Sequence, residues 1–128
     1  MAKAFNVEIY NGVINKNVTY YTDPKWNELL GSADVLVFQA IVESTPAAET
    51  VTVQYQTSND GGPLAALWSD VSGFTVTVSP SSATDVPKAA FDRNASSDAM
   101  GAQGRGTISC TTNNGVAVRL IACGRIDV

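Results

Sequence analysis

From residue 50 to residue 78 the chain alternates. Val51, Val53 and Tyr55 take every second position, with Thr52, Gln54 and Gln56 between them, and successive side chains of a strand point to opposite faces with that period. One face is therefore apolar and the other polar. The run stops at Ser58-Asn59-Asp60-Gly61-Gly62-Pro63, where glycine accepts positive φ, Asn and Asp bond their own backbone, and proline brings no N–H to a ladder. Alternation resumes at Phe74, Val76 and Val78 against Thr75, Thr77 and Ser79. The stretch reads as part of an all-β unit.

Shorter runs of the same kind lie on both sides. Phe5, Val7 and Ile9 alternate with Asn6, Glu8 and Tyr10, which predicts a strand over 4–10 closed by Asn11-Gly12, a strong turn signal. The β-branched and aromatic residues of 18–22 predict another strand. Asp23-Pro24 ends it and opens the one passage with helical character, residues 24–30, with Asp23 as N-cap, Pro24 at the first position and Gly31 past the end. Residues 34–44, DVLVFQAIVES, are apolar on both alternations, as expected of a strand covered on both faces or of one at a subunit contact. They are placed at the centre of a sheet, paired antiparallel with the 51–56 strand through the link at 45–49.

Beyond Val78 the composition shifts to small and polar residues, which predicts a long irregular loop over 79–106 with one short strand at 89–91. The chain then closes with a predicted hairpin of 107–111 and 116–128 about Asn113-Asn114-Gly115. Counting these runs gives about seven to eight short strands, hence an antiparallel β-sandwich or jelly roll with at most one short helix. A chain of 128 residues, 45% hydrophobic, forms one such domain and buries a core of its own.

Composition then narrows the function. A net charge of -4 with scattered basic residues leaves no phosphate-binding surface, so no nucleic-acid partner is expected. The apolar runs are strand-sized and none reaches the ~18 residues of a membrane span. The first residues, MAKAFNVEIYNG, lack the apolar segment of ~7–15 residues of a secretory signal, so the expectation is a protein made and kept, or assembled, in a cytoplasm. Cys110 and Cys123 read as buried thiols. In the predicted closing hairpin Cys110 faces Ala117 rather than Cys123, so no disulfide is favoured.

The chain holds no histidine, which removes the commonest general base and the His-dependent nucleophiles. With only two cysteines beside that absence, a protein-built zinc site is not expected. The acidic residues form no recognisable catalytic pair. The expectation is no catalysis, no cofactor and no metal. Asp92, Asn94, Ser96 and Asp98 start like a calcium loop, but Ser97 stands where its turn glycine belongs and Gln103 where its bidentate Glu belongs. A polar loop is the better reading. Asn17-Val18-Thr19 and Asn94-Ala95-Ser96 match the glycosylation pattern and, without a secretory signal, read as chance.

The aromatic residues carry two readings. Trp26 and Trp68, with Tyr10, Tyr20, Tyr21 and Tyr55, suit either a stacking platform for sugars or core packing. Packing is favoured for Trp68. One ring of the Tyr20-Tyr21 pair must face outward if the strand is regular, and such a ring on an acidic β domain suits a protein contact.

The strand entering Ser58-Asn59-Asp60-Gly61, then Trp68, then the Thr/Val strand at 74–78, resembles a pattern of small β-sandwich structural proteins of tailed bacteriophages, capsid decoration proteins among them. The closing run Gly115-Val116-Ala117-Val118-Arg119-Leu120-Ile121 is similar to the last strand of such domains. The pattern is also similar to that of discoidin-like carbohydrate-binding sandwiches. The phage resemblance implies a decoration, or cement, protein that binds and stabilises an assembled shell. It implies a homo-oligomer, a trimer by preference, bound to a major capsid or other virion protein and assembled in the bacterial host cytoplasm. Phe5, Val7, Tyr20, Tyr21, Trp26 and Phe91 are the residues expected at its interfaces. The alternative is a carbohydrate-binding module for surface attachment, which would keep a concave aromatic face where a cement protein would bury its aromatics.

Overall fold

The structure, a computed structural model, describes residues 2–45, 47–60, 62, 64–78, 84–92 and 103–127. In chain order its strands are β1 (Ala2–Ile14), β2 (Tyr20–Tyr21), β3 (Val35–Ser44), β4 (Glu49–Ser58), β5 (Ser69–Val78), β6 (Thr84–Asp92), β7 (Gln103–Cys110) and β8 (Val116–Asp127). A single α-helix among the described residues, α1 (Asn27–Ser32), follows β2. One four-stranded sheet runs β1-β8-β3-β6 and the other β2-β7-β4-β5, with antiparallel pairing throughout. Two four-stranded sheets in that order form a jelly roll. The expected all-β sandwich is the observed one.

Alternating inward residues of β3, β4 and β8 build much of the core. β3 turns Leu36, Phe38, Ala40 and Val42 inward and β4 answers with Val51, Val53 and Tyr55, all of them buried. The rings of Phe38 and Tyr55 meet edge to face at 5.6 Å and 89°, an arrangement that adds about 0.5–1.5 kcal/mol to the burial itself. β8 completes the layer with Val116, Val118, Leu120 and Ala122.

Several expected connections differ. The predicted pairing of 34–44 with 51–56 does not form, because β3 and β4 lie in different sheets. The closing hairpin fails for the same reason: β7 pairs with β4, β8 pairs with β1 and β3, and the 111–115 segment crosses between layers. A short link is as able to cross a sandwich as to close a hairpin, and which it does depends on the partners waiting in each sheet. Cys110 therefore sits beside Val51 and Cys123 beside Asn6 and Val37, and both thiols are free. Cys110 is buried as expected, whereas Cys123 is only half-buried.

Asn11-Gly12 is no turn. β1 continues through it to Ile14, paired with β8 all the way, and takes up its irregularity as a bulge between Glu8 and Tyr10. Gly12 makes room instead: a Cβ there would stand 3.1 Å from the Tyr10 hydroxyl. The 18–22 strand shrinks to Tyr20–Tyr21. The helical passage divides into a 3-10 turn, Pro24–Trp26, capped by Asp23 accepting from the Lys25 N–H at 3.0 Å, and α1, which includes Gly31 rather than ending before it. The expected loop at 79–106 holds β6, longer than the strand foreseen at 89–91, and the first half of β7. Residues 93–102, with most of the calcium-like run and the second glycosylation match, lie outside the described residues.

The short helix rests on β7 without a spacer. Tyr55, from β4, donates its hydroxyl to the Leu30 carbonyl at 2.7 Å, and a Cβ at Gly104 would stand 2.9 Å from Gly31 N and 2.8 Å from the Tyr55 hydroxyl. Only glycine lets helix and strand backbones approach this closely. Gly104→Ala is expected to push α1 off β7 at a cost of about 1–3 kcal/mol, read as a lowered denaturation midpoint with an unchanged denaturant slope. A midpoint equal to wild type would show that this approach is not tight.

Candidate functional site

Two surfaces carry unusual chemistry. The first is a cleft of about 810 Å3 where the 3-10 turn and the start of α1 face β1, β2 and the end of the β4–β5 loop, with Tyr10, Tyr21, Trp26, Asn27, Trp68 and Arg105 on its walls. Its geometry follows from the elements beneath. Gly104 and Gly106 bring the helical segment and Thr22 down onto β7, and the Thr22 hydroxyl accepts from the Gly106 N–H at 3.0 Å. The residue between those glycines is Arg105.

Arg105 is 8% exposed. Its guanidinium lies 4.2 Å from the ring centre of Tyr21 and 4.2 Å from that of Trp68, so each ring face offers its negative quadrupole to the cation. Its Nε donates to Gln56 Oε1 at 2.8 Å, and Gln56 Nε2 donates to Asp70 Oδ1 at 2.8 Å. Among the described residues no carboxylate comes within ion-pair distance of Arg105. Burial pulls its pKa below the usual arginine value, against an opposing influence from Tyr21, but arginine remains a cation. Trp68 is fixed in turn by donating its indole N–H to the Gly62 carbonyl at 2.7 Å.

A second anomaly lines the same cleft. Asn27 is 6% exposed, and its Oδ1 is the one buried side-chain polar atom among the described residues with no hydrogen-bond partner. Trp26 beside it is half-buried, with the Lys25 ammonium 5.1 Å over its ring. Tyr10 meets Tyr20 edge to face at 6.4 Å. Burial, then the neighbouring Tyr20, raises the Tyr10 pKa.

The second surface is the outer face of the β1-β8-β3-β6 sheet. Inward residues of β3 and β8 leave Val37, Ile41, Ile121 and Cys123 on the other side, where register sets Val37 beside Cys123, Ile121 beside Gln39, and Ile41 beside Arg119. All four are half-buried and belong to no core cluster. An ion-pair cluster borders them: Arg119 holds Glu8 at 2.8 Å and Glu43 at 3.4 Å. The hydrogen bond from Arg119 is the main reason that the Glu8 carboxyl sits below its ordinary pKa.

The expected interface residues divide between places. Phe5 and Val7 face inward along β1 and pack against the core. Tyr20 also packs on the core, and its hydroxyl accepts from the Asn15 N–H at 3.0 Å. Tyr21 is the outward ring of the pair, 46% exposed, and it and Trp26 join the cleft. Phe91 lies on β6, where its side chain is outside the described residues. Trp68 is buried, as favoured. Sequence reasoning missed Arg105 and Asn27, while the second apolar face of β3 was foreseen as cover or a subunit contact without its β8 neighbours Ile121 and Cys123. Arg105 fell inside the predicted loop, although a lone charge flanked by glycines in QGRGT was a signal of close packing.

Comparison with known proteins gives a fold relation and nothing nearer. No family model matches the chain. No curated protein matches it either. Among solved structures it is similar to a chain described under "Bacillus endospore appendages form a novel family of disulfide-linked pili", with a TM-score of 0.52 and 12% identity over 99% of this chain and 88% of that one. At that identity the likeness is one of fold: both chains carry the same β-sandwich architecture along nearly their whole lengths.

Proposed function

We propose that this chain is a structural, non-enzymatic subunit of a larger protein assembly and, more finely, a capsid decoration protein of a tailed phage that binds and stabilises the shell as a trimer in the virion. The observation that carries the structural role is the outer face of the β1-β8-β3-β6 sheet. A strand apolar on both alternations needs cover on both sides. β3 receives it on one side from the core and presents Val37 and Ile41 on the other, beside Ile121 and Cys123. That leaves the second of the two explanations for its sequence, a subunit contact. β1 adds an edge: it is the outermost strand of its sheet and thirteen residues long, guarded among the described residues by the bulge and the charged side chains of Lys3 and Glu8.

Two further supports bear on the finer reading. A solved structure of similar fold is described under endospore appendages that form disulfide-linked pili, which is a structural setting. The phage reading rests on the resemblance of 51–61, Trp68 and 74–78 to decoration proteins. A shell-binding protein acts by mass action, since a ligand that favours the assembled state shifts the equilibrium toward it.

The test is mass in solution by light scattering across a dilution series, paired with maleimide labelling of Cys123. A concentration-independent trimer in which Cys123 is protected, and labels only on denaturation, is the expected outcome. Open-ended polymers would point to a filament subunit instead of a decoration protein. A monomer whose Cys123 labels freely both alone and with phage capsids would overturn the structural role.

A further inference from the structure

We propose that the cleft where the 3-10 turn and the start of α1 face β1, β2 and the end of the β4–β5 loop is a binding site for an acidic saccharide, a sugar bearing a carboxylate, with Arg105 as the carboxylate anchor. This goes beyond the assembly role and does not depend on it. The Arg105 guanidinium lies over the rings of both Tyr21 and Trp68, 4.2 Å from each centre, and its Nε is occupied by Gln56. What remains is the in-plane edge carrying the two terminal nitrogens. A planar acceptor with two oxygens fits that edge in a paired, charge-assisted geometry, and a carboxylate is such a group.

A buried cation with no described counter-charge is costly, because removing it from water loses hydration that only a partner restores. Stacking on two rings and one neutral amide contact compensate in part. An anion arriving in the cleft would complete the compensation.

Other lining residues ask for something different. Asn27 Oδ1 is buried and without a donor, and Asp23 lines the same cleft beside Lys25, so the lining offers acceptors as well as cations. A ligand matching both Arg105 and these acceptors carries one carboxylate and several hydroxyl donors on a ring whose apolar face can lie on Trp26 or Tyr10. A hydroxylated acid sugar has all three. A peptide ending in a carboxylate satisfies Arg105 but brings fewer donors to Asn27 Oδ1 and its neighbours.

The experiment titrates the full chain with a galacturonic acid trisaccharide, its methyl ester, and a peptide with a free C-terminal carboxylate, followed by tryptophan fluorescence and calorimetry. Trp26 and Trp68 both line the cleft and serve as reporters. Saturable binding of the acid is expected, with the ester weaker by on the order of 10- to 100-fold, the loss of one charge-assisted pair. Trp26→Ala is expected to weaken both saccharides while thermal unfolding stays close to wild type. Arg105→Gln is expected to erase the preference for the acid, and where that variant fails to fold, the acid-to-ester ratio on the wild-type protein carries the same information. Equal affinity for acid and ester, no saturable signal from either, or binding of the peptide in preference to the saccharide would each overturn the assignment.

Discussion

Glu49→Gln is expected to lower the free energy of unfolding by about 2–4 kcal/mol, and to bring the melting temperature down by on the order of 10 °C. Glu49 begins β4 and is 2% exposed. Its carboxylate is a pure acceptor set among donors. Oε1 accepts from the backbone of Thr50 at 3.0 Å and of Thr111 and Thr112 at 3.3 Å each. Oε2 accepts from the backbone of Thr112 at 3.0 Å and of Asn113 at 2.6 Å, and from the Asn113 amide at 3.1 Å. Apart from Thr50, which lies in β4, these donors belong to the 111–115 crossing, which no ladder pairs, so Glu49 does for this connection what a strand partner does elsewhere. Glutamine keeps the shape but turns one acceptor into a donor facing N–H groups. Because the crossing lies near the surface, opened N–H groups regain water, which holds the loss to a few kcal/mol.

The same site sets an acid limit. Desolvation pushes the Glu49 carboxyl upward, but the N–H groups of Asn113, Thr111, Thr50 and Thr112 together outweigh it and hold the folded pKa below the ordinary 4.5. A depressed folded value means that the unfolded chain binds the proton more readily. The stabilisation is therefore fully present above about pH 4.5 and is lost as pH falls through the lower folded value. Chemical denaturation at stepwise pH should show this slope in wild type and its reduction in Glu49→Gln, and the Thr112 and Asn113 amides should lose hydrogen-exchange protection in the variant. Stability within about 0.5 kcal/mol of wild type would show that the crossing holds without its carboxylate. Cys110 feels the same group: burial and then the Glu49 charge raise its thiol pKa, which keeps this buried cysteine unreactive.

The alternating strands were legible because their burial follows period two. Val51, Val53 and Tyr55 are inward and Thr50 and Thr52 outward, as the spacing demands. What could not be read was partner choice. β7 and β8 have the lengths and the intervening Asn-Asn-Gly of a hairpin, yet each finds a better surface in a different sheet. β6 was hidden by Asp85, Pro87 and Lys88, residues of low strand propensity that are tolerated because it is an edge strand with β3 as its one neighbour in the sheet. The cleft was half visible. Its aromatics were recognised singly, but nothing in the spacing of Tyr21, Trp68 and Arg105 along the chain says that the three stack. That contact is made by sheet register and by two glycines that let a helix close over β7.

Ile121→Asp is expected to leave the subunit folded and to abolish its association. Ile121 sits mid-strand on β8, opposite Gln39 on one side and Glu8 on the other, with its side chain half-buried on the outer face. In the free subunit an aspartate there keeps contact with water, so the melting temperature should shift by no more than a few degrees, the response to a loss of about 1 kcal/mol. In an interface centred on Val37, Ile41 and Cys123 the same aspartate becomes an uncompensated charge, and the bordering Glu8 and Glu43 already bring negative charge to the rim. Arg119 is engaged by both of them and is a poor rescuer. Loss of a central contact in such a patch weakens association by about 2–4 kcal/mol, or about 30- to 1,000-fold. Light scattering should then report monomer at concentrations where wild type is assembled, with Cys123 open to maleimide. Thr75→Asp, on the exposed face of the other sheet, adds the same charge away from the patch and should leave the mass unchanged. If Ile121→Asp stays assembled while Thr75→Asp does not, the working surface is the polar face of β4 and β5, and the second apolar face of β3 then has no account in subunit contact.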